Sequence, residues 1–260
     1  MPRYQTLALT RAGRVLTIIL NRPAVLNAVN LAMHDELAEV FDYAGTDALS
    51  DIIVLTGAGQ AFSAGGDLEH LARNAAQPEL FDHETDVARR IVLNLLNIDK
   101  PLICRLNGHA VGLGATLALL SDVIFAADTA KIGDPHVAAG LVAGDGGAIV
   151  WPLRIGFARA KEYLLTGELL SAERARDLGL VNHCVPAGEL DAAVEAFCLR
   201  LLKLSPQALR GTKQLLNLEL KRIANTVLDA GLALEAASLR SPEHRAAVEA
   251  LRARRARPTH

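Results

Sequence analysis

Two glycine-rich turns, FSAGGDL (residues 62–68) and NGHAVGLGATLAL (residues 107–119), each stand behind a short apolar run with the look of a strand. A chain that leaves a strand through such a turn needs positive φ and close backbone approach, which glycine permits. Amide hydrogens bared at two turns of this kind can converge on one oxygen atom, and a donor pair held that way is the machinery that stabilises an oxyanion. Taken singly, either turn could be no more than a strand-to-helix corner.

Around the turns the apolar pattern changes period. Alternation over residues 5–10 and 15–20, joined by Arg-Ala-Gly-Arg, predicts a hairpin. From Asn30 to about Asp47, Leu31, His34, Leu37, Ala38 and Phe41 recur at helical spacing, with Asn30 as cap. DIIVLT (51–56) reads as a buried strand. A second unit follows, with a helix over 81–97, a strand over 101–106, the turn at 108–114, a short apolar helix to Leu120 and a strand over 122–126. Strands alternating with helices imply crossovers and an α/β fold, although periodicity leaves a doubly wound sheet open. Beyond Gly140 the chain reads as mainly helical, with separate helices near 147–155, 158–165, 171–178, 188–204, 206–219, 223–239 and 242–254.

Composition narrows the partners. A 260-residue chain with 51% hydrophobic residues and a net charge of −2 can bury a large core and carries no global signal for nucleic acid or a membrane surface. The arginines of RARRARP (252–258) read as a frayed, solvated end. Cys104, Cys184 and Cys198 have neither disulfide-framework nor zinc spacing, so no metal site is expected and a reducing cytoplasm fits. No leader pattern and no membrane-length apolar run is present. A dinucleotide reading of Gly112-x-Gly114 fails because Leu117 stands where a third glycine belongs.

The ordered set NRPAVLNAVN (21–30), FSAGGDL, PLICRLNGHAVGLG, AKIGDPHVAAGLVAGDGG (130–147) and LTGELLSAERARDLGLVNHCVP (165–186) resembles the crotonase (enoyl-CoA hydratase/isomerase) superfamily nearly end to end. That resemblance implies a right-handed spiral of ββα units over residues 1–200, carrying the coenzyme A and oxyanion site. A C-terminal helical region over 201–260 would serve oligomerisation, as a homotrimer or a dimer of trimers. It implies that the Gly66 and Leu113 amides hold a thioester oxygen, with Leu113 standing where relatives often have glycine. Leu26, Asn27 and Ala28 would line the nucleotide end, Ala64, Asp67 and Leu68 would surround the pantetheine and adenine, and Lys213 would lie near the ribose phosphate. Asp67 reads equally as a helix cap and Lys213 as a solvated helix lysine. The coenzyme A thioester would be substrate, with no tightly bound cofactor.

The acid and base depart from the pattern. Thr116 and His136 occupy the positions where hydratases of that superfamily carry two glutamates, which puts ordinary hydration in question. His136, two residues after Asp134, titrates near neutrality, and Asp145 sits in the loop AGDGG next to the expected acyl pocket. Asp145 ranks ahead of His136 as the acting group. Hydration through non-standard residues, double-bond migration, thioester hydrolysis, C–C cleavage and acyl-CoA binding without turnover all stay open. Leu113, Thr116, Val137, Leu141, Trp151 and residues between Leu71 and Glu84 are expected to shape the acyl pocket, and Leu71, Leu80 and Phe81 point to an apolar tail.

Overall fold

The computed structural model describes residues 1–77 and 81–255. A hairpin of β1 (Leu7–Ala12) and β2 (Val15–Leu20) opens the chain, paired in register from Leu7 with Leu20 to Ala12 with Val15. Asn30 then caps α1 (Leu31–Thr46) by accepting from the Met33 amide, and the apolar stripe of α1 is buried. β3 (Ile52–Gly57) lies parallel to β2 and is buried along its whole length. That explains why its sequence is continuously apolar rather than alternating.

After β3 come α2 (Leu68–Ala76), α3 (Phe81–Asn97), β4 (Leu102–Leu106), β5 (Ala110–Val111), α4 (Leu113–Leu119), β6 (Val123–Ala127) and β7 (Lys131–Gly133). β4 and β6 join a six-stranded sheet of order β1-β2-β3-β4-β6-β9, whereas β5 and β7 join a three-stranded sheet, β5-β7-β8. From β4 onward each turn of the chain contributes one strand to each sheet before a helix, β4 and β5 before α4, then β6 and β7 before the helical half, as in the ββα units expected from the resemblance. β8 (Leu170–Ser171) and β9 (His183–Val185) complete the two sheets. The main core lies between the large sheet and helices α1, α3 and α4.

The helical half holds α5 (Gly147–Ile155), α6 (Phe157–Thr166), α7 (Ala172–Asp177), α8 (Leu190–Leu202), α9 (Pro206–Leu239) and α10 (Pro242–Arg255). One 34-residue helix, α9, replaces the two read from sequence over 206–219 and 223–239. The intervening Leu220, Lys221 and Arg222 are all good helix formers, so nothing there breaks the chain. Ser205 caps α9 and Pro206 takes its first position, where a missing amide hydrogen costs nothing. α9 packs on α3 through Leu228, Leu232, Val92 and Leu96. At the other end, Arg252 of α10 pairs with Glu69 of α2, so the helix continues where a frayed end was expected, and residues 256–258 of that run lie outside the described residues. No helix among the described residues is long and apolar enough to cross a membrane, and Cys104, Cys184 and Cys198 are free thiols.

Candidate active site

The two glycine turns are fastened to each other by main chain. Phe62 and Ser63 donate their amides to the His109 carbonyl at 3.1 and 3.0 Å, and the Val111 amide returns a bond to the Ser63 carbonyl at 3.0 Å. Gly65 adopts φ +82°, and a Cβ on it would sit 2.7 Å from the Val111 oxygen, so glycine is required where the turns touch. Val29 accepts from Asp67 and donates to Gly65, bracketing Gly66. Neither the Gly66 nor the Leu113 amide has an acceptor among the described residues. Leu113 is the first residue of α4, where an amide has no intrahelical partner and the positive end of the helix dipole lies. Both residues line one cavity of about 550 Å³.

Four ionisable side chains gather at that cavity. Asp134 follows β7, His136 begins a short 3-10 turn after Pro135, Asp145 precedes α5, and Glu235 comes from α9. Gly144 lies against Gly231 so closely that a Cβ on Gly144 would fall 2.2 Å from the Gly231 carbonyl oxygen. That approach brings Glu235, one helical turn further on, to the Asp145 loop. His136 Nδ1 is hydrogen-bonded to Asp134, and its Nε2 lies 3.7 Å from Asp145 Oδ2 and 3.9 Å from Glu235 Oε1. Thr116 Oγ1 donates to Asp145 Oδ1 at 3.4 Å.

Burial disfavours a charge on His136, but Asp134, Asp145 and Glu235 together outweigh it and raise the imidazole well above its ordinary value. Desolvation raises Asp145, against the pull of His136. Desolvation and then repulsion from Asp145 push Glu235 up to about 8. The cluster thus favours an imidazolium at His136 beside two acids, Asp145 and Glu235, that hold their protons more tightly than isolated carboxyl groups, which is the equipment of general acid and base catalysis. Asp134, His136 and Asp145 also offer three ligand atoms within 4.8 Å of one another, a grouping their sequence spacing did not reveal.

A second polar group lines the same cavity. His34 on α1, His70 and Asn74 on α2, and Glu84 on α3 are all buried. His70 Nε2 meets Glu84 Oε2 at 2.8 Å, Asn74 Nδ2 donates to Glu84 Oε1 at 2.9 Å, and Arg73 donates to His70 Nδ1 at 2.7 Å. Burial would raise Glu84, but the bonds from His70 and Asn74 hold it below the usual value. Burial drives His34 down to about 4.

Of the residues singled out in sequence, Gly66, Leu113, His136, Asp145, Leu26, Ala28, Ala64 and Leu68 share this cavity. Asn27, Asp67 and Lys213 do not line it. Asn27 is fully buried, accepts from the Arg22 amide and donates to the Ala58 and Ala61 carbonyls, which fixes the left-handed backbone at Leu26 and Asn27. Asp67 caps α2 and pairs with Arg22 at 3.0 Å. Lys213, neither solvated nor at the cavity, is buried, donates to the Lys100 carbonyl at 2.9 Å and pairs with Asp122 at 2.7 Å. The Lys100 ammonium is likewise given to the Ala44 and Asp47 carbonyls.

Among the expected pocket-shaping residues, Leu71, Phe81 and Leu141 line the cavity, and Leu80 lies outside the described residues. Thr116, Val137 and Trp151 do not line it. Thr116 turns to Asp145, Val137 is largely exposed, and Trp151 is wholly buried in the core. Asn74 falls within the 71–84 segment expected at the pocket, whereas Glu235, His34 and His70 are not singled out by the sequence. Glu235 and His34 each stand at an apolar helical position, Glu235 in the row Leu228, Leu232, Glu235, Leu239, and a charge or imidazole on a buried stripe was the available signal.

The family model described as enoyl-CoA hydratase/isomerase matches residues 10–255. The 2,3-dehydroadipyl-CoA hydratase of Escherichia coli K12 is 35% identical over 88% of this chain and 87% of its own length. Among solved structures, an enoyl-CoA hydratase/isomerase from Mycobacterium paratuberculosis superposes with a TM-score of 0.91 at 40% identity, over 95% of this chain and 99% of that one. A β-diketone hydrolase from Anabaena sp. PCC 7120, bound to (S)-3-oxocyclohexyl acetic acid, superposes with a TM-score of 0.85 at 30% identity, over 91% and 95%.

Proposed function

This chain belongs to the enoyl-CoA hydratase/isomerase family, and from that premise we propose that it is an acyl-CoA enzyme whose proton chemistry runs through His136, Asp145 and Glu235. The thioester carbonyl oxygen sits between the Gly66 and Leu113 amides. Charge that develops on it as an enolate forms is stabilised by those donors and by the dipole of α4. His136, held by Asp134, delivers a proton, and Asp145 with Glu235 takes one from water or from the acyl carbon. What carries this reading is that the free Gly66 and Leu113 amides and the His136 cluster face one cavity. Hydration or double-bond migration follows according to whether water enters. The protein is cytoplasmic in this reading, and assembly as a trimer or dimer of trimers accounts for Leu215, Leu216 and Leu218 of α9, each more than three-fifths exposed.

A second reading is hydrolytic cleavage of a carbon–carbon bond in a β-dicarbonyl compound. It is favoured by Thr116 and His136 standing in place of paired glutamates, and by the likeness to a protein titled a β-diketone hydrolase. There an activated water attacks one carbonyl, the carbon–carbon bond breaks, and the electron pair is held as an enolate of the other carbonyl.

Leu113→Pro tests the donor pair, because proline fits the first position of α4 yet has no amide hydrogen. The variant should lose about 100- to 1,000-fold in kcat on the substrate turned over, and unchanged kcat overturns the donor role. Assaying Asp145→Asn for hydration, isomerisation and diketone hydrolysis separates the two readings, since the activity that disappears is the native one. An unchanged rate in all three removes Asp145 from the mechanism.

A further inference from the structure

The His34, His70, Asn74 and Glu84 group takes no part in the chemistry above, yet it brings four buried polar side chains from three helices to the cavity wall. Three of them bond one another, leaving Asn74 Oδ1 buried and without a partner. A guanidinium only donates, so Arg73 fixes His70 Nδ1 as acceptor and leaves Nε2–H to bond Glu84, whose other oxygen is taken by Asn74. His34 stands outside that network. It is 8% exposed, its Nδ1 is closed off without a partner, and neither ring nitrogen makes a hydrogen bond among the described residues. A buried imidazole with its nitrogens unused costs free energy, part of which a ligand hydrogen-bonded to Nε2 restores.

We infer that the acyl group bound here carries a neutral oxygen function, a hydroxyl or an oxo group, and that His34 is the residue that recognises it. This rests on the acyl-CoA reading and names its substrate class. Neutrality follows from the surroundings. Among the described residues neither lysine nor arginine lines the cavity, while Glu84, Asp145 and Glu235 do, so a carboxylate on the acyl chain would meet acids and no cation there. An ammonium would find both Glu84 oxygens already taken. With Nδ1 closed off, Nε2 is the nitrogen left to meet a ligand, as donor or acceptor according to tautomer; a hydroxyl answers either role and a carbonyl only the first. The apolar tail expected from Leu71 and Phe81 is thereby amended to an apolar chain interrupted by one oxygen.

Titration calorimetry with unreactive saturated thioesters tests this: hexanoyl-CoA, its 4-, 5- and 6-hydroxy and 5-oxo derivatives, and adipyl-CoA. With the unaltered protein, at least one neutral oxygenated thioester should bind about 10-fold tighter than hexanoyl-CoA, and adipyl-CoA should bind more weakly than hexanoyl-CoA. His34→Phe should erase the preference and His34→Gln should keep part of it. Equal affinity for hexanoyl-CoA and every neutral derivative, a preference that survives His34→Phe, or tightest binding of adipyl-CoA overturns the inference. If the Phe variant does not fold, the unaltered protein's ranking decides. Binding of hexanoyl-CoA without preference sinks the His34 assignment alone, whereas no binding of any thioester sinks the acyl-CoA reading with it.

Discussion

Two of the histidines that line one cavity, His136 and His34, are driven in opposite directions. His136 meets one carboxylate through a hydrogen bond and two more within 4 Å, and their combined attraction overcomes the cost of burying its charge. His34 is buried as well, but it has no hydrogen bond, and the more distant Glu84 and Asp35 do not offset its desolvation. Burial alone therefore does not decide the state of a histidine; the number and closeness of carboxylates facing it does. One cavity thereby holds a proton donor on one wall and a neutral hydrogen-bonding ring on another.

The largest effect should come from removing the charged member. His136→Gln should lower kcat by about 100- to 10,000-fold with KM little changed, and steady-state kinetics on the native substrate checks this. A loss below about tenfold would mean that the carboxylates act without it. A smaller effect concerns stability on the alkaline side. Glu235 keeps its proton up to about 8 against 4.5 as an isolated group, so between those values the unfolded chain binds fewer protons and stability falls as pH rises. Glu235→Gln imitates the protonated acid, and thermal melts of the variant should show a shallower alkaline decline than the native protein. Identical slopes would place the retained proton elsewhere in the cluster. Least of all, His34 titrates at about 4 folded against 6.5 free, so the unfolded chain takes up protons first and stability falls as pH drops through that window. His34→Gln should flatten the acid limb while leaving the alkaline one alone, and a parallel shift of both limbs would break the contrast between the two walls.

Much of this was legible in the chain. The glycine turns announced themselves because close backbone approach leaves a residue-type signature, and Gly65 against Val111 is that contact. His136 and Asp145 stood out as ionisable groups in glycine-rich loops. Glu235 was hidden because it reaches the site from a helix 90 residues further along the chain than Asp145, and local pattern carries no information on which distant elements meet. His34 was counted as one more member of an apolar stripe, which it is, and only the folded cavity shows that this stripe borders a ligand space. Asn27, Asp67 and Lys213 show how a motif position can be taken up by the fold itself. Each sits in or near a motif, yet each side chain serves the backbone or a neighbouring charge, because buried carbonyls and caps need partners before a ligand does.

The burial of Lys100 and Lys213 has a chemical consequence for a protein of this family. Thioesters acylate free amines and thiols without any catalyst, so a pocket that concentrates them exposes its own side chains to damage. Both of these ammonium groups are engaged by carbonyl oxygens inside the fold, and among the described residues the cavity wall contains neither lysine nor cysteine. The chamber is lined with groups that can pass protons but offers no nucleophile that would form a lasting amide or a new thioester, and so it resists being consumed by what it holds.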